Sequence, residues 1–261
     1  MSRILVIRHG AFGDIVLSFA AFAAIRARHA GDEITLLTTK PYAGLLGASP
    51  WFDKIEIDAK PDWWQLPALL RLKRQLAGFD MVYDLQTSGR STRYFALAGR
   101  PAWSGIASGC AYPDAGNRET LHSRERLEQQ LGLAGIPTPL PPPDLSWLAG
   151  DISGLDLSPD YVVLVPGAAP HRPEKRFPAE KFRAVAAGLN RPIVIVGTKS
   201  EQPLAQTIGG LDLTGRTDFF QLASVFRGAA LAIGNDTGPM HLAAALGTPC
   251  ISLFSLSLIH I

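Results

Sequence analysis

At 261 residues the chain has room for one large domain or two compact ones. Hydrophobic residues make up 47% and charged residues 18%, which supplies a core and excludes a disordered chain. A net charge of +2 is too small to argue for a nucleic-acid partner, and its surplus lies in the first 150 residues, with 16 basic against 14 acidic, then 9 against 9.

In chain order, Arg3–His9 reads as a buried strand and Ile15–His29 as an alanine-rich helix. Strands follow at Glu33–Thr39, Lys54–Asp58 and Phe79–Leu85, separated by helical stretches near Tyr42–Gly47 and Trp64–Ala77. Continuous apolar runs mark strands covered on both faces, so the alternation predicts a parallel, doubly wound α/β fold. Between Gly135 and Gly150 the pattern breaks at Pro137, Pro139, Pro141, Pro142 and Pro143, which neither helix nor central strand tolerates. That stretch, about 136–150, is expected to be a stiff linker between a first domain, 1–150, and a second, 151–261. Beyond it come strands at Tyr161–Val165, Pro192–Val196, Leu211–Thr214, Leu231–Gly234 and Pro249–Phe254, with helices at Ala179–Leu189, Glu201–Ile208, Phe219–Gly228 and Met240–Leu246. Two such domains are expected to bind ligand in a cleft at the carboxyl ends of their strands. Cys110 and Cys250 supply neither a disulfide framework nor a metal site. No apolar run nears the ~20 residues of a bilayer span. Ile4–Ile7 is too short for a signal peptide, so a soluble, cytoplasmic protein is expected.

Three loops hold residues suited to chemistry. Gly10-Ala11-Phe12-Gly13-Asp14 follows the first strand and opens a helix. Asp14 reads either as a helix cap or as a carboxylate placed to act as general base. With only Gly10 and Gly13, the loop lacks the third glycine of a dinucleotide fingerprint, which argues against NAD. Arg8-His9-Gly10 is a three-residue match to the phosphohistidine phosphatases that does not continue, leaving His9 as a structural or cleft-lining residue. The second loop, Pro166–Pro178, carries His171, Arg172, Lys175 and Arg176 and suits a phosphate or diphosphate, or is a solvated basic loop. The third, Gly234–His241, joins strand to helix, and its helix N-terminus favours an anion beside Asp236, Thr237 and Gly238. His241 reads equally as a core histidine, and Asp212 as an ordinary strand-end carboxylate or a ribose contact.

RILVIRHGAFGDIVLSFAAFAAIR, PGAAPHRPEKRFPAEKF and GNDTGPMHLAAALGTPCISLF, in that order, resemble glycosyltransferase family 9, and the resemblance runs from Ser2 to about Phe254. It implies a GT-B fold of two Rossmann-like domains, the first binding acceptor and the second a nucleotide sugar. It further implies inverting transfer of heptose from ADP-heptose to the inner core of lipopolysaccharide, with no cofactor and no required metal. Asp14 takes the place of the family's catalytic aspartate and Gly13 that of the glycine before it. Lys175 falls on the phosphate-binding lysine, and Asp236, Thr237, Gly238 and His241 on the donor-binding motif. Asp212 is a looser match to the ribose contact. A relative using another nucleotide sugar, or a chain that binds nucleotide without transferring sugar, fits the same motifs. After Phe254 the resemblance lapses, so the second domain is expected to be incomplete at its end.

The implied acceptor is a lipid-anchored saccharide bearing carboxylates and phosphates. Arg90, Arg93, Arg100, Arg118, Arg124 and Arg126 stand against three acids between residues 86 and 126. Some of the six, Arg90 and Arg93 first, are expected to bind acceptor or to face the anionic inner membrane, the alternative being solvated helix faces.

Overall fold

The computed structural model describes residues 1–114, 116, 120–168 and 176–254. It divides into two compact units, Met1–Asp144 and Leu145–Ile261.

The first unit runs β1 (Arg3–Ile7), α1 (Phe12–Leu17), α2 (Phe19–Arg28), β2 (Glu33–Thr38), α3 (Lys40–Gly47), β3 (Lys54–Ile57), α4 (Leu66–Gln75), β4 (Met81–Asp84), α5 (Gly89–Leu97), β5 (Ala102–Gly105), β6 (Tyr112–Pro113) and α6 (Ser123–Leu133). Its strands form one parallel sheet in the order β3-β2-β1-β4-β5-β6. The chain order reverses beside β1, where Ile4–Ile7 are wholly buried between β2 and β4. The loops leaving β1 and β4 therefore open side by side at the switch point where ligands enter such sheets.

The long helix expected over Ile15–His29 begins earlier, at Phe12, and is interrupted at Ser18. Ser18 is fully buried and its hydroxyl donates to the Asp14 carbonyl at 2.7 Å, the back-bonding that bends helices. The elements α5, β5, β6 and α6 were not legible from periodicity. Of these, β5 is four residues long and β6 two, too short for any period to show.

The second unit runs β7 (Val162–Val165), α7 (Ala179–Leu189), β8 (Ile193–Ile195), α8 (Gln202–Ile208), β9 (Leu211–Asp212), α9 (Phe219–Gly228), β10 (Leu231–Asn235), α10 (Gly238–Ala245) and β11 (Cys250–Leu253). The sheet is again parallel, ordered β11-β10-β7-β8-β9. Val162 and Leu164 face Phe182 of α7 and Ala205 and Ile208 of α8 in its core.

The boundary falls inside the proline-rich stretch, and the packing on either side explains where. Leu140 belongs to the first unit: its amide donates to Glu128 at 3.2 Å and its carbonyl accepts from Arg124 at 3.0 Å. From Leu145 onward the chain is strapped to α9. Arg227 donates to the carbonyls of Leu145 and Leu148, and Ser224 exchanges hydrogen bonds with the amide and carbonyl of Gly150 at 2.9 and 2.8 Å. Among the described residues no helix is long and apolar enough to cross a membrane.

Candidate functional site

In the first unit the chain leaves β1 through Arg8 and His9, both buried, and turns at Gly10 into α1. Gly10 has φ +121°, and a Cβ there would stand 2.4 Å from the Tyr42 ring, so only glycine serves. Phe12 stacks on the same ring, with centroids 6.5 Å apart.

Asp14 occupies the first turn of α1. One carboxylate oxygen accepts the Ala11 amide at 3.1 Å, and the other lies 3.5 Å from Nη2 of Arg8. Arg8 also donates to the Asp14 carbonyl at 3.1 Å and to the Leu85 carbonyl, so one buried guanidinium ties the end of β4 to α1. The Asp14 side chain is 45% exposed against 9% for Arg8: an accessible carboxylate on a buried cationic support. Asp14 is the third residue of α1, and its side chain reaches back to the amide of the N-cap residue Ala11 while staying exposed. Gly13 precedes it within the same helical turn. Arg8 was overlooked in the sequence because an arginine at a strand end carries no pattern of its own.

His9 is no surface nucleophile. Its Nε2 lies 3.0 Å from Oδ2 of buried Asp58, and the Tyr94 hydroxyl donates to that same oxygen at 2.7 Å. Burial works to raise the Asp58 carboxyl, but hydrogen bonds from His9, Tyr94 and the Lys60 amide hold it below the usual carboxylate range. Burial, with the Asp58 carboxylate beside it, pushes the Tyr94 hydroxyl up. This network joins β1, the end of β3 and α5.

One turn along α5 from Tyr94 stands Arg90, whose Nη1 donates to the Pro61 carbonyl at 3.0 Å. Arg90 and Arg93, both exposed, line a cavity of about 610 Å³ with Trp63, Leu69, Tyr94 and Leu97. The other arginines of that stretch differ. Arg124 and Arg126 are spent on α6, donating to Glu128 and to the Leu121 carbonyl at 3.2 and 2.9 Å. Arg100 follows α5 with φ +59°, and Arg118 lies outside the described residues.

In the second unit β10 ends at Asn235, and α10 begins three residues later. Asn235 is wholly buried. Its Nδ2 donates to the carbonyls of Pro166 and Gly167 at 2.8 and 3.2 Å, and its Oδ1 accepts the Phe177 amide at 3.0 Å. One side chain therefore pins both ends of the basic loop to the Asp236–Gly238 turn. Asn235 belonged to the third motif in the sequence without an assigned role, since only the fold shows what its amide touches. Gly234 allows the close approach: a Cβ there would lie 2.6 Å from Cβ of Val165.

Thr237 caps α10 with extended backbone, and its hydroxyl donates to the Asn235 carbonyl at 3.1 Å. Gly238 is the first residue of α10. His241, one turn in, places Nε2 3.6 Å from Oδ1 of Asp236, with both side chains partly exposed. The structure thus brings Asp236, Thr237, Gly238 and His241 onto one strand-to-helix turn. Asp212 ends β9 in the same sheet, and its Oδ1 accepts from the amide and hydroxyl of Thr214 at 2.8 and 2.6 Å. Lys175, His171 and Arg172 lie outside the described residues. Arg176 donates to the Ala168 carbonyl at 3.3 Å. Among the described residues no group of three or more His, Cys, Asp or Glu is placed to hold a metal ion.

Comparison with known proteins identifies a family. The model for glycosyltransferase family 9 (heptosyltransferase) matches residues 69–258. A lipopolysaccharide core heptosyltransferase of Haemophilus influenzae, OpsX, is 24% identical over 277 residues, covering 96% of this chain and 78% of its own. A family 9 glycosyltransferase structure from Veillonella parvula superposes with a TM-score of 0.77 at 22% identity, over 96% of this chain and 80% of that one. The E. coli heptosyltransferase WaaC with ADP-2-deoxy-2-fluoro heptose gives 0.72 at 20% identity, over 96% and 88%. These neighbours make the fold GT-B, with two Rossmann-like units. With its family model matched across most of its length, on a two-sheet frame shared with these structures, the chain belongs to glycosyltransferase family 9.

Proposed function

We propose that this chain transfers heptose from ADP-heptose to the inner core of lipopolysaccharide, inverting the anomeric carbon, with Asp14 as general base. In this reading 1–150 binds acceptor and 151–261 binds donor. The observation that carries it is the Asp14 carboxylate, held by the Ala11 amide and Arg8 yet nearly half exposed. An acceptor hydroxyl gives its proton to Asp14 as its oxygen bonds to the anomeric carbon, and the bond from that carbon to the diphosphate oxygen breaks on the opposite face. A single displacement needs one base and no enzyme nucleophile. Charge gathering on the departing ADP is met by Lys175 and by the helix N-terminus at Thr237 and Gly238, so no divalent ion is required. Asp236 and His241 hold the donor beside that turn, and Asp212 receives the ribose hydroxyls. Gly13 lets the acceptor approach Asp14, while Arg90 and Arg93 clamp its carboxylates and phosphates. The reaction takes place at the cytoplasmic face of the inner membrane, where the lipid-anchored acceptor lies.

Support comes from the family membership and from relatives described as heptosyltransferases of lipopolysaccharide core and as a WaaC complex with an ADP-heptose analogue. The test is transfer from ADP-heptose to heptose-free inner core. Wild-type chain should turn over with inverted product, and Asp14→Asn should lose ~10²–10⁴-fold in kcat with ADP affinity kept. Turnover undiminished in Asp14→Asn would remove the base, and transfer from a UDP-sugar alone would keep the family and discard heptose.

A further inference from the structure

Four large apolar side chains stand exposed within eight residues: Trp63 at 78%, Trp64 at 61%, Leu66 at 65% and Leu70 at 58%. The cause is the pattern of α4. Leu69, Leu72 and Leu76 turn inward, Leu72 and Leu76 joining the core with Trp103 and Phe95. Leu66 and Leu70, one turn apart, point outward, and the two indoles ahead of them meet edge to face at 5.6 Å. Where the outward face ceases to be apolar it becomes basic: Arg71, Lys73 and Arg74 are all exposed. No acidic residue occurs between Asp62 and Asp80. An exposed cluster of this size on a soluble fold marks a contact surface. Indoles and leucines followed by unneutralised cations are the composition of a helix lying in a lipid headgroup layer.

We infer that Trp63, Trp64 and the outer face of α4 dock this chain on an anionic phospholipid surface, the side chains of Trp63, Trp64, Leu66 and Leu70 entering the interface while Arg71, Lys73 and Arg74 pair with lipid phosphates. The charge chooses lipid over a second copy of the chain, because two copies meeting on this face would oppose cation to cation. At 10 residues α4 lies on a bilayer and does not cross it. Trp63 also lines the cavity of Arg90 and Arg93, so docking would open that cavity at the headgroup level. This deepens the proposed function by bringing the acceptor-side cavity to the lipid, but lipid binding itself needs none of the transfer chemistry.

The experiment is co-sedimentation of the full chain with vesicles of phosphatidylglycerol in phosphatidylcholine, against phosphatidylcholine alone. Wild-type chain should pellet with the anionic vesicles, its tryptophan emission shifting to the blue. The double variant W63S/W64S should lose at least about tenfold in partitioning, together with the shift. Arg71→Gln, Lys73→Gln and Arg74→Gln should each lose about fivefold, on anionic vesicles only. All five positions are exposed, and circular dichroism confirms that each variant folds. Failure of folded wild-type chain to bind overturns the inference, as does undiminished binding by W63S/W64S. A dimer of the free chain that W63S/W64S abolishes would instead assign the face to a second copy. Because transfer from ADP-heptose is assayed separately, loss of either result leaves the other standing.

Discussion

Asp84, at the end of β4, shows how a single residue ties the site to pH. Its carboxyl is buried, with Oδ1 accepting the amides of Gln86 and Thr87 at 3.1 and 3.0 Å. Gln86 in turn accepts the His9 amide at 2.8 Å, so the turn after β4 buttresses the loop carrying Asp14. Burial pushes Asp84 up to about 6, against amide hydrogen bonds that favour its charge. A carboxyl raised in the folded state holds its proton more tightly there than in the unfolded chain. Stability tied to this group is therefore present at low pH and lost as pH rises from about 4 to about 6. Asp84→Asn keeps an acceptor for both amides and removes the titration. Urea unfolding should show the variant gaining on wild type by on the order of 2 kcal/mol between pH 4 and pH 7, and a constant difference across that range would refute the assignment. Asn235 is the corresponding residue of the second unit. Asn235→Ala strands the Phe177 amide and the Pro166 carbonyl, and should cost about 1–3 kcal/mol in the same assay.

At the scale of elements, a strand-to-helix connection recurs in both units, and in each a glycine sets how closely the backbone approaches. Gly234 sits on β10 against Val165 of β7, where an added Cβ would also meet the Val165 carbonyl at 2.8 Å and Met240 Sδ at 2.9 Å. Gly234→Ala must push β10 from β7 or lift α10, and is expected to destabilise by about 1–3 kcal/mol in thermal unfolding. An unchanged midpoint would show that the turn yields. Long elements with a steady apolar pattern, such as α7 and α9, matched their sequence boundaries, because burial on one face imposes a period that survives in the residue order. The break at Ser18 did not show, since a buried serine between two helices looks like one more small residue in an alanine-rich run. Nor did α5 and α6, whose faces are crowded with arginine, with serine and threonine in α5 and glutamate and glutamine in α6. Arg124 has one partner at helical spacing, Glu128, but the carbonyls of Pro61, Leu121 and Leu140 that these arginines also bond lie outside the helices and cannot be read from that spacing.

For the whole molecule, the proposal assigns the leaving charge to side chains and a helix terminus in place of a metal. Prolonged dialysis against a chelator should then leave the rate of transfer from ADP-heptose within about twofold of untreated protein, and loss of rate restored by a divalent ion would overturn that part of the mechanism. What the amino-acid order determined was the alternation of strand and helix, the two-part division near the proline run, and the family, because local periodicity and short ordered motifs are written in consecutive residues. Tertiary structure alone decided which polar groups meet: Arg8 beneath Asp14 and on the Leu85 carbonyl, His9 and Tyr94 against Asp58, Asn235 between the basic loop and the turn into α10. It also decided where the chain divides, since Arg227 and Ser224 claim residues from Leu145 onward for the second unit. It decided, too, that Arg90 and Arg93 line a cavity while Arg124 and Arg126 hold α6. The physical reason is common to all of these. Periodicity reports the face a residue presents, but a buried polar group finds its partner by position in space, and sequence separation says nothing of that until the sheets have assembled.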